Sequence, residues 1–200
     1  MFLKPPPRNL SHISLTPKTV HVKNLYRVSR YPTGEPYFGK TANNRFDDRS
    51  HLKKKRFGTC YFGLDLETAI TETVLHDEMP VNGIFSIAYT EIESRYLVRF
   101  KRGSLVLANL TGTPLKTLGG HGSLSTIIPY NLTQRWAMAV HRHPQHVDGI
   151  YYMSRHLNDR PAVVVFERAK SKLTGASTKE LPCVSGIMKA VANLHISFVC

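Results

Sequence analysis

Short runs of β-branched and aromatic residues recur along the chain, and they constrain its fold more than any other feature. Such runs predict strands, and they lie at residues 22–28, 58–63, 84–90, 96–100, 104–107, 150–153, 162–166 and 196–199. Helical patterns cover only residues 66–78, 133–142 and 184–193. Because strands outnumber helices and do not alternate regularly with them, the sequence predicts an α+β fold rather than a doubly wound sheet.

The 200 residues suffice for one domain, and their composition divides them into an arm and a body. Residues 1–20 are rich in proline and polar groups without a clear period, so we expect an irregular N-terminal arm. Residues 21–200 are expected to form a single domain. Within it, the apolar run Ala162–Phe166 predicts a central strand, and residues 31–56 predict a long loop of the kind that is often functional.

The sequence argues against several classes of protein. No stretch approaches the ~18 consecutive apolar residues that span a membrane, and the first residues, Met1–Arg8, lack the apolar core of a secretory signal. Cys60, Cys183 and Cys200 are odd in number and widely spaced, which argues against a disulfide framework and favours a reducing compartment.

The chain carries a net charge of +13, from 27 basic and 14 acidic residues. This charge favours a polyanion, an acidic protein or a phosphate-bearing small molecule as a partner, without choosing among them. The densest basic run, Lys53–Arg56, lies between two predicted elements. It suits a solvated loop, and it equally suits a nucleic-acid-binding surface, although no known nucleic-acid motif accompanies it.

Three polar residues interrupt otherwise apolar patterns. Arg27 ends a predicted strand, and its guanidinium has the fork of donors that matches a phosphate. Glu72 shares a predicted helix face with Ala69 and His76, where a carboxylate can stabilise the oxocarbenium-like state of glycosidic cleavage. Ser154 ends another strand, without the motif of a hydrolase nucleophile around it. A structural salt bridge for Arg27 and a solvated position for Glu72 remain open alternatives.

Other candidates are aromatic residues and histidines. Tyr61 can offer a ring face to a flat heterocycle, or it can pack in the core. His141, His143 and His146 cluster in sequence, but His141 and His143 point apart on a helix, Pro144 breaks the pattern, and no carboxylate completes a ligand set. We therefore expect no metal site.

Taken in order, these segments resemble the RES-domain family, which is named for an arginine, a glutamate and a serine. The resemblance spans about residues 25–167. The segments that carry it are Leu25–Val28, Asn44–Asp48, Phe57–Gly63, Thr68–Val74, Leu107–Leu110, Tyr130, Thr133–Ala137 and Asp148–Arg155, with the chain running on to Phe166–Glu167.

The resemblance implies an ADP-ribosyltransferase-like fold, with a two-sheet β core, flanking helices and NAD in the cleft. It implies that Arg27, Glu72 and Ser154 are catalytic, with Ser154 orienting Arg27 or the ribose, and that Arg45, Tyr61 and Tyr26 bind NAD. NAD is then a substrate, and no prosthetic group is expected. Several family members are toxins of bacterial toxin–antitoxin pairs, and the resemblance implies an Xre-type antitoxin that neutralises the toxin by covering the site.

These implications favour a bacterial toxin that cleaves the nicotinamide–ribose bond of NAD by phosphorolysis or hydrolysis. One alternative is transfer of ADP-ribose to a macromolecule, and another, from a different class, is a basic nucleic-acid-binding module. The expected location is the bacterial cytoplasm, although a secreted effector would have the same sequence features. The sequence does not predict the oligomeric state.

Overall fold

The structure is a computed structural model that describes residues 3–199. Its strands are β1 Pro17–His21, β2 Arg27–Ser29, β3 Thr59–Gly63, β4 Phe85–Ala88, β5 Tyr96–Arg99, β6 Ser104–Asn109, β7 Gly149–Met153, β8 Pro161–Phe166, β9 Ser177–Glu180 and β10 Ile196–Val199. Its α-helices are α1 Leu66–Thr71, α2 Thr90–Glu93, α3 Gly112–Thr117, α4 Asn131–His141 and α5 Ile187–Asn193. Short 3-10 helices cover Leu10–His12, Val22–Asn24, Lys53–Lys55, Gly122–Ser125, Glu167–Lys172 and Leu181–Cys183.

The largest sheet has five strands in the order β1-β6-β7-β8-β3. All neighbours are antiparallel except β6 and β7, which run parallel. Strand β8 lies between β7 and β3, and all of its residues after Pro161 are buried. The prediction that this apolar run forms a central strand is therefore confirmed.

A second sheet pairs β2, β5 and β9 antiparallel, and β4 and β10 form a small parallel pair. The start of the second sheet is tied to the first by reciprocal backbone hydrogen bonds of 2.9 Å between Tyr26 and Gly63. This link sets Arg27, the first residue of β2, beside β3. The predicted α+β fold with two main sheets and flanking helices is confirmed, with β4 and β10 as an additional pair.

Helix α1 begins after an N-cap formed by Asp65, whose carboxylate accepts a hydrogen bond from Thr68 N at 2.7 Å. The helix ends at Thr71 rather than continuing to residue 78, and the chain goes on in turns. β-Branched residues disfavour its continuation, and the Thr71 and Thr73 hydroxyls bond to the carbonyls of Thr68 and Ala69. Glu72 consequently stands at the C-terminal end of a short helix.

The arm was predicted over residues 1–20, and the part of it that the structure describes, residues 3–20, is more ordered than predicted. Residues 17–21 form β1, which pairs with β6 along its whole length. Pro17 is tolerated because it is the first residue of an edge strand. The five residues of β1 are mostly polar and exposed, so their sequence carries no alternating pattern that would predict a strand.

The residues that precede β1 also take part in the core. Leu3, Leu10 and Leu15 are buried in the cluster that contains Trp136. The Trp136 indole N–H donates to the Lys4 carbonyl at 3.0 Å. This part of the predicted arm therefore packs as an integral layer over α4.

The described cysteines are free thiols. Cys60 is buried in β3 and Cys183 is exposed, whereas Cys200 lies outside the described residues. Burial raises the pKa of Cys60 to about 12, which keeps this thiol protonated and unreactive.

No helix within residues 3–199 has the length and apolar character needed to cross a bilayer. The longest, α4, has 11 residues, against about 20 for a membrane span.

The packing of the arm can be tested with Leu10→Ala. Leu10 is 3% exposed, so we expect the truncation to lower the free energy of unfolding by about 2–5 kcal/mol through lost burial and a residual cavity. Leu52→Ala is the control, because Leu52 is 51% exposed and should change stability by less than about 0.5 kcal/mol. Equal urea midpoints for the two variants would contradict the packing.

Candidate functional site

A cavity of about 370 Å³ opens between the two main sheets and the long loop of residues 31–56. Arg27, Arg45, Tyr61 and Glu72 all line it. They come from β2, the long loop, β3 and the end of α1, so the fold gathers them from separate elements. Four of the six predicted site residues thus meet at one cavity.

Arg27 is held in a fixed orientation at this cavity. Its Nε donates to Glu35 Oε2 at 2.8 Å, and its Nη1 donates to the Tyr61 carbonyl at 3.3 Å. Glu35 also accepts from Tyr37 N. Burial would raise the pKa of Glu35, but the hydrogen bond and charge of Arg27 outweigh it and lower that pKa. Within residues 3–199, Nη2 of Arg27 is left without a protein acceptor and is available to a ligand.

Glu72 and Ser154 form a direct pair. The Ser154 hydroxyl donates to Glu72 Oε1 at 2.5 Å and accepts from the backbone N–H groups of His156 and Leu157 at 3.1 Å. Ser154 is 1% exposed and lies behind Glu72 rather than in the cavity wall. The sequence-based hypothesis that Ser154 orients Arg27 or the ribose differs from this geometry, in which it orients Glu72.

Arg45 is a buried cation at the cavity. Its Nη1 donates to the carbonyls of Leu124 and Ile127 at 3.3 and 3.0 Å, and its guanidinium lies 4.7 Å from the centre of the Tyr130 ring. Burial lowers the pKa of Arg45, while nearby Tyr130 and the carboxylate of Glu72 oppose that effect. Because these contacts are with neutral groups, the charge of Arg45 is available to an anion.

Tyr61 presents a fixed ring to the cavity. Its hydroxyl accepts from Phe46 N at 2.9 Å and donates to Asp47 Oδ1 at 3.1 Å. Burial and the charge of Asp47 raise the pKa of Tyr61 well above its ordinary value. The hydroxyl therefore stays neutral, and its two hydrogen bonds hold the ring in place.

Tyr26 lies outside the main cavity. It lines a smaller neighbouring cavity of about 50 Å³, which Arg27, Glu72 and Tyr61 also border. One face of the Tyr26 ring is covered by the Arg99 guanidinium, 3.6 Å from the ring centre. The geometry therefore gives Tyr26 a packing role next to the site, and its predicted contact with NAD stays a prediction.

Sequence reasoning assigned no role to Asp47, which organises the long loop. Its buried carboxylate, 1% exposed, accepts from the side chains of Thr41, Thr59 and Tyr61 and from both the backbone and the side chain of Asn44. These bonds connect the loop to β3 on either side of Arg45. The adjacent pair Asp47-Asp48 within a loop was the available signal, because buried carboxylates collect several donors.

Two histidines stand beside Glu72. The rings of His76 and His156 are 5.0 Å apart, and both residues line the main cavity. The predicted proximity of His76 and Glu72 is present although α1 ends earlier, because the following turns keep them together. By contrast, His141 stacks on Phe57, and His143 bonds to backbone carbonyls of residues 10 and 13.

The basic run Lys53–Arg56 divides into two parts. Lys53–Lys55 form a 3-10 helix with no buried residue, and this exposure fits the expectation of a solvated loop. Arg56 instead donates to the backbone carbonyls of Ser50, Lys40 and Thr41. Its role in the structure is to close the long loop, and its charge is engaged there.

Comparisons with known proteins give a match to one protein family and a match to a solved structure. A family model described as the RES domain matches residues 24–184, which include every predicted site residue. Among solved structures, a chain in the crystal structure of the M. tuberculosis MbcT–MbcA toxin–antitoxin complex is similar, with a TM-score of 0.57 and 12% identity over 89% of this chain and 91% of that chain. No curated protein sequence matches the chain. The structural likeness shows a shared fold.

The organising role of Asp47 predicts a local and a global effect of Asp47→Ala. Removing an acceptor that serves five hydrogen bonds should cost about 2–4 kcal/mol of unfolding free energy, because buried donors lose their partner. The amide of Asn44 should also exchange with solvent faster. Exposed Asp159 supplies the control substitution Asp159→Ala, and wild-type exchange at Asn44 in Asp47→Ala would refute the role.

Proposed function

The chain belongs to the RES-domain family, and we propose that it is an enzyme that consumes NAD by cleaving the nicotinamide–ribose bond. One observation carries the proposal. Two guanidinium groups, Arg27 and the buried Arg45, share one cavity with a carboxylate, Glu72, that a buried serine holds in place. Cations for a diphosphate and an anion for a cationic sugar are the groups that this reaction needs.

In the proposed complex, Arg27 and Arg45 bind the diphosphate of NAD. Guanidinium groups match phosphate oxygens with paired donors, and Arg45 has already lost its water to burial. Binding an anion there restores a counter-charge that the protein does not supply. The fixed ring of Tyr61 stacks on the nicotinamide.

Glu72 supports the bond-breaking step. The C1–N bond between ribose and nicotinamide breaks, and its electron pair leaves with the nicotinamide nitrogen, so that the departing ring is neutral. The ribose becomes oxocarbenium-like, and the nearby carboxylate stabilises that positive charge. An oxygen of water or phosphate then bonds to C1, and attacking water releases a proton. Ser154 acts by fixing the Glu72 carboxylate.

We extend this proposal to a biological role as a bacterial toxin. The structurally similar chain comes from a toxin–antitoxin complex, and we propose that a cognate Xre-type antitoxin covers the cavity of this chain in the cytoplasm. The net charge of +13 favours an acidic surface on that partner.

The variant Glu72→Gln tests the catalytic role. Glutamine keeps the acceptor for Ser154 but removes the negative charge, so NAD turnover should fall by about 100-fold or more without loss of folding. The assay incubates purified protein with NAD, with and without phosphate, and identifies products by mass. Phosphorylated ADP-ribose indicates phosphorolysis, and free ADP-ribose indicates hydrolysis.

Glu78→Gln is the matched control, because Glu78 is exposed in the turns that follow Glu72 and should leave turnover unchanged. Unchanged NAD with a folded wild-type protein would refute the cleavage of free NAD. Labelled NAD in a cell lysate separates the alternative reaction: label on a protein or nucleic acid would support ADP-ribosyl transfer instead.

The variant Arg27→Lys tests the phosphate contact. Lysine keeps the charge but lacks the planar fork that binds Glu35 and leaves Nη2 for the ligand, so we expect KM for NAD to rise by about tenfold or more. Arg30→Lys is the control, because the Arg30 side chain is 69% exposed. A KM equal to that of wild type would remove Arg27 from the NAD contacts.

A further inference from the structure

We propose that Glu72, His76 and His156 form a binding site for a divalent transition metal, and that Zn²⁺ bound there inhibits the enzyme. The inhibition rests on the proposed NAD cleavage, whereas the metal binding does not. The proposal departs from the sequence-based expectation of no metal site. That expectation considered only the histidines at positions 141, 143 and 146, which are close in sequence.

Three ligand atoms converge at this position from two segments of the chain. One carboxylate oxygen of Glu72 and one ring nitrogen from each of His76 and His156 lie within 4.8 Å of one another. In a tetrahedral zinc site, bonds of about 2.0–2.1 Å place such atoms about 3.3 Å apart. Closing the remaining gap of about 1.5 Å or less needs a movement of the side chains, and His76 is partly exposed.

His156 provides an independent indication of a ligand. Its Nε2 is buried and has no hydrogen-bond partner within residues 3–199, although buried polar atoms are normally satisfied. A neutral imidazole nitrogen without a hydrogen-bond partner has a lone pair for a metal.

The ligand set selects the metal. Two imidazoles and one carboxylate with an open position form a set that zinc favours, whereas Ca²⁺ and Mg²⁺ prefer oxygen ligands throughout. Arg45 and Arg155 line the same cavity, and their positive charges weaken the binding of any cation. The site consequently suits reversible occupation by free Zn²⁺ rather than a permanently bound ion.

Zinc at this site removes the group on which the proposed chemistry depends. Ser154 holds the Glu72 carboxylate through Oε1, and a metal bound to that carboxylate neutralises its charge. The oxocarbenium-like ribose then loses its stabilising anion. The ion and its open-position ligand also fill the space beside Glu72 that the ribose needs.

Metal binding is measured first on the protein alone. Wild-type protein freed of metal with a chelator is titrated with Zn²⁺ against a fluorescent zinc indicator, and with Co²⁺ followed by its visible absorption. We expect one ion per chain, with affinity at least about tenfold weaker in His76→Ala and in His156→Ala. His12→Ala removes an exposed histidine elsewhere and should bind as wild type does. No binding, or wild-type affinity in both site variants, would overturn the site.

Inhibition is then measured on wild-type NAD cleavage. Activity should fall as zinc saturates the site, over the range set by the binding titration, and an added chelator should restore it. Unchanged or stimulated turnover at saturation would overturn the inhibitory role while leaving the metal site established. If the protein cleaves no NAD, the proposed function fails and the binding titration still decides whether the metal site exists.

Discussion

A carboxylate that is buried without a cationic partner among residues 3–199 determines the shape of the cavity. Within those residues Asp47 accepts only from neutral donors, which come from the long loop and from β3. Its bonds fix the Tyr61 ring, and they fix the chain on either side of Arg45. A negative charge in such a place is stable because hydrogen bonds replace its water. The loop is therefore an ordered wall of the cavity despite its two glycines and two prolines.

The electrostatics of the cavity depend on whether each charged side chain has an oppositely charged partner. Arg27 is partly neutralised by Glu35, whereas Arg45 is surrounded by carbonyls and an aromatic ring. Glu72 has a serine rather than a cation as its nearest partner. Arg45 and Glu72 thus line one cavity with opposite charges, and each has neutral groups as its direct contacts. Such a site favours a ligand that is anionic at one end and becomes cationic at the other during reaction.

The strongly apolar elements were predictable from the sequence, and the polar ones were not. The run that forms β8 is apolar throughout, so it is stable only where both faces of the strand are buried. Its central position in the sheet therefore follows from composition. Strand β9 is exposed along its whole length, and β1 is mostly polar, so neither has a pattern that separates it from a loop. The early end of α1 depends on threonine hydroxyls that bond to backbone carbonyls, which propensity alone does not reveal.

The site shows the same division. Only the resemblance to a family predicted a shared site for Arg27, Arg45, Tyr61 and Glu72, because no local pattern connects residues so far apart in the sequence. Asp47 and the pair of His76 and His156 were missed, since their roles arise only from contacts between distant segments. The position of Ser154 behind Glu72 likewise depends on the turn after β7, which bonds its hydroxyl through two backbone N–H groups.

The hydrogen bond between Ser154 and Glu72 also limits when the site can assemble during synthesis of the chain. The two residues are 82 positions apart, so at about 5–20 residues per second a ribosome needs about 4–16 s to add the second after the first. Strand β8, which supports the turn holding Ser154, is added later still. A nascent chain therefore has no assembled site until β8 has been added, and this interval delays any activity.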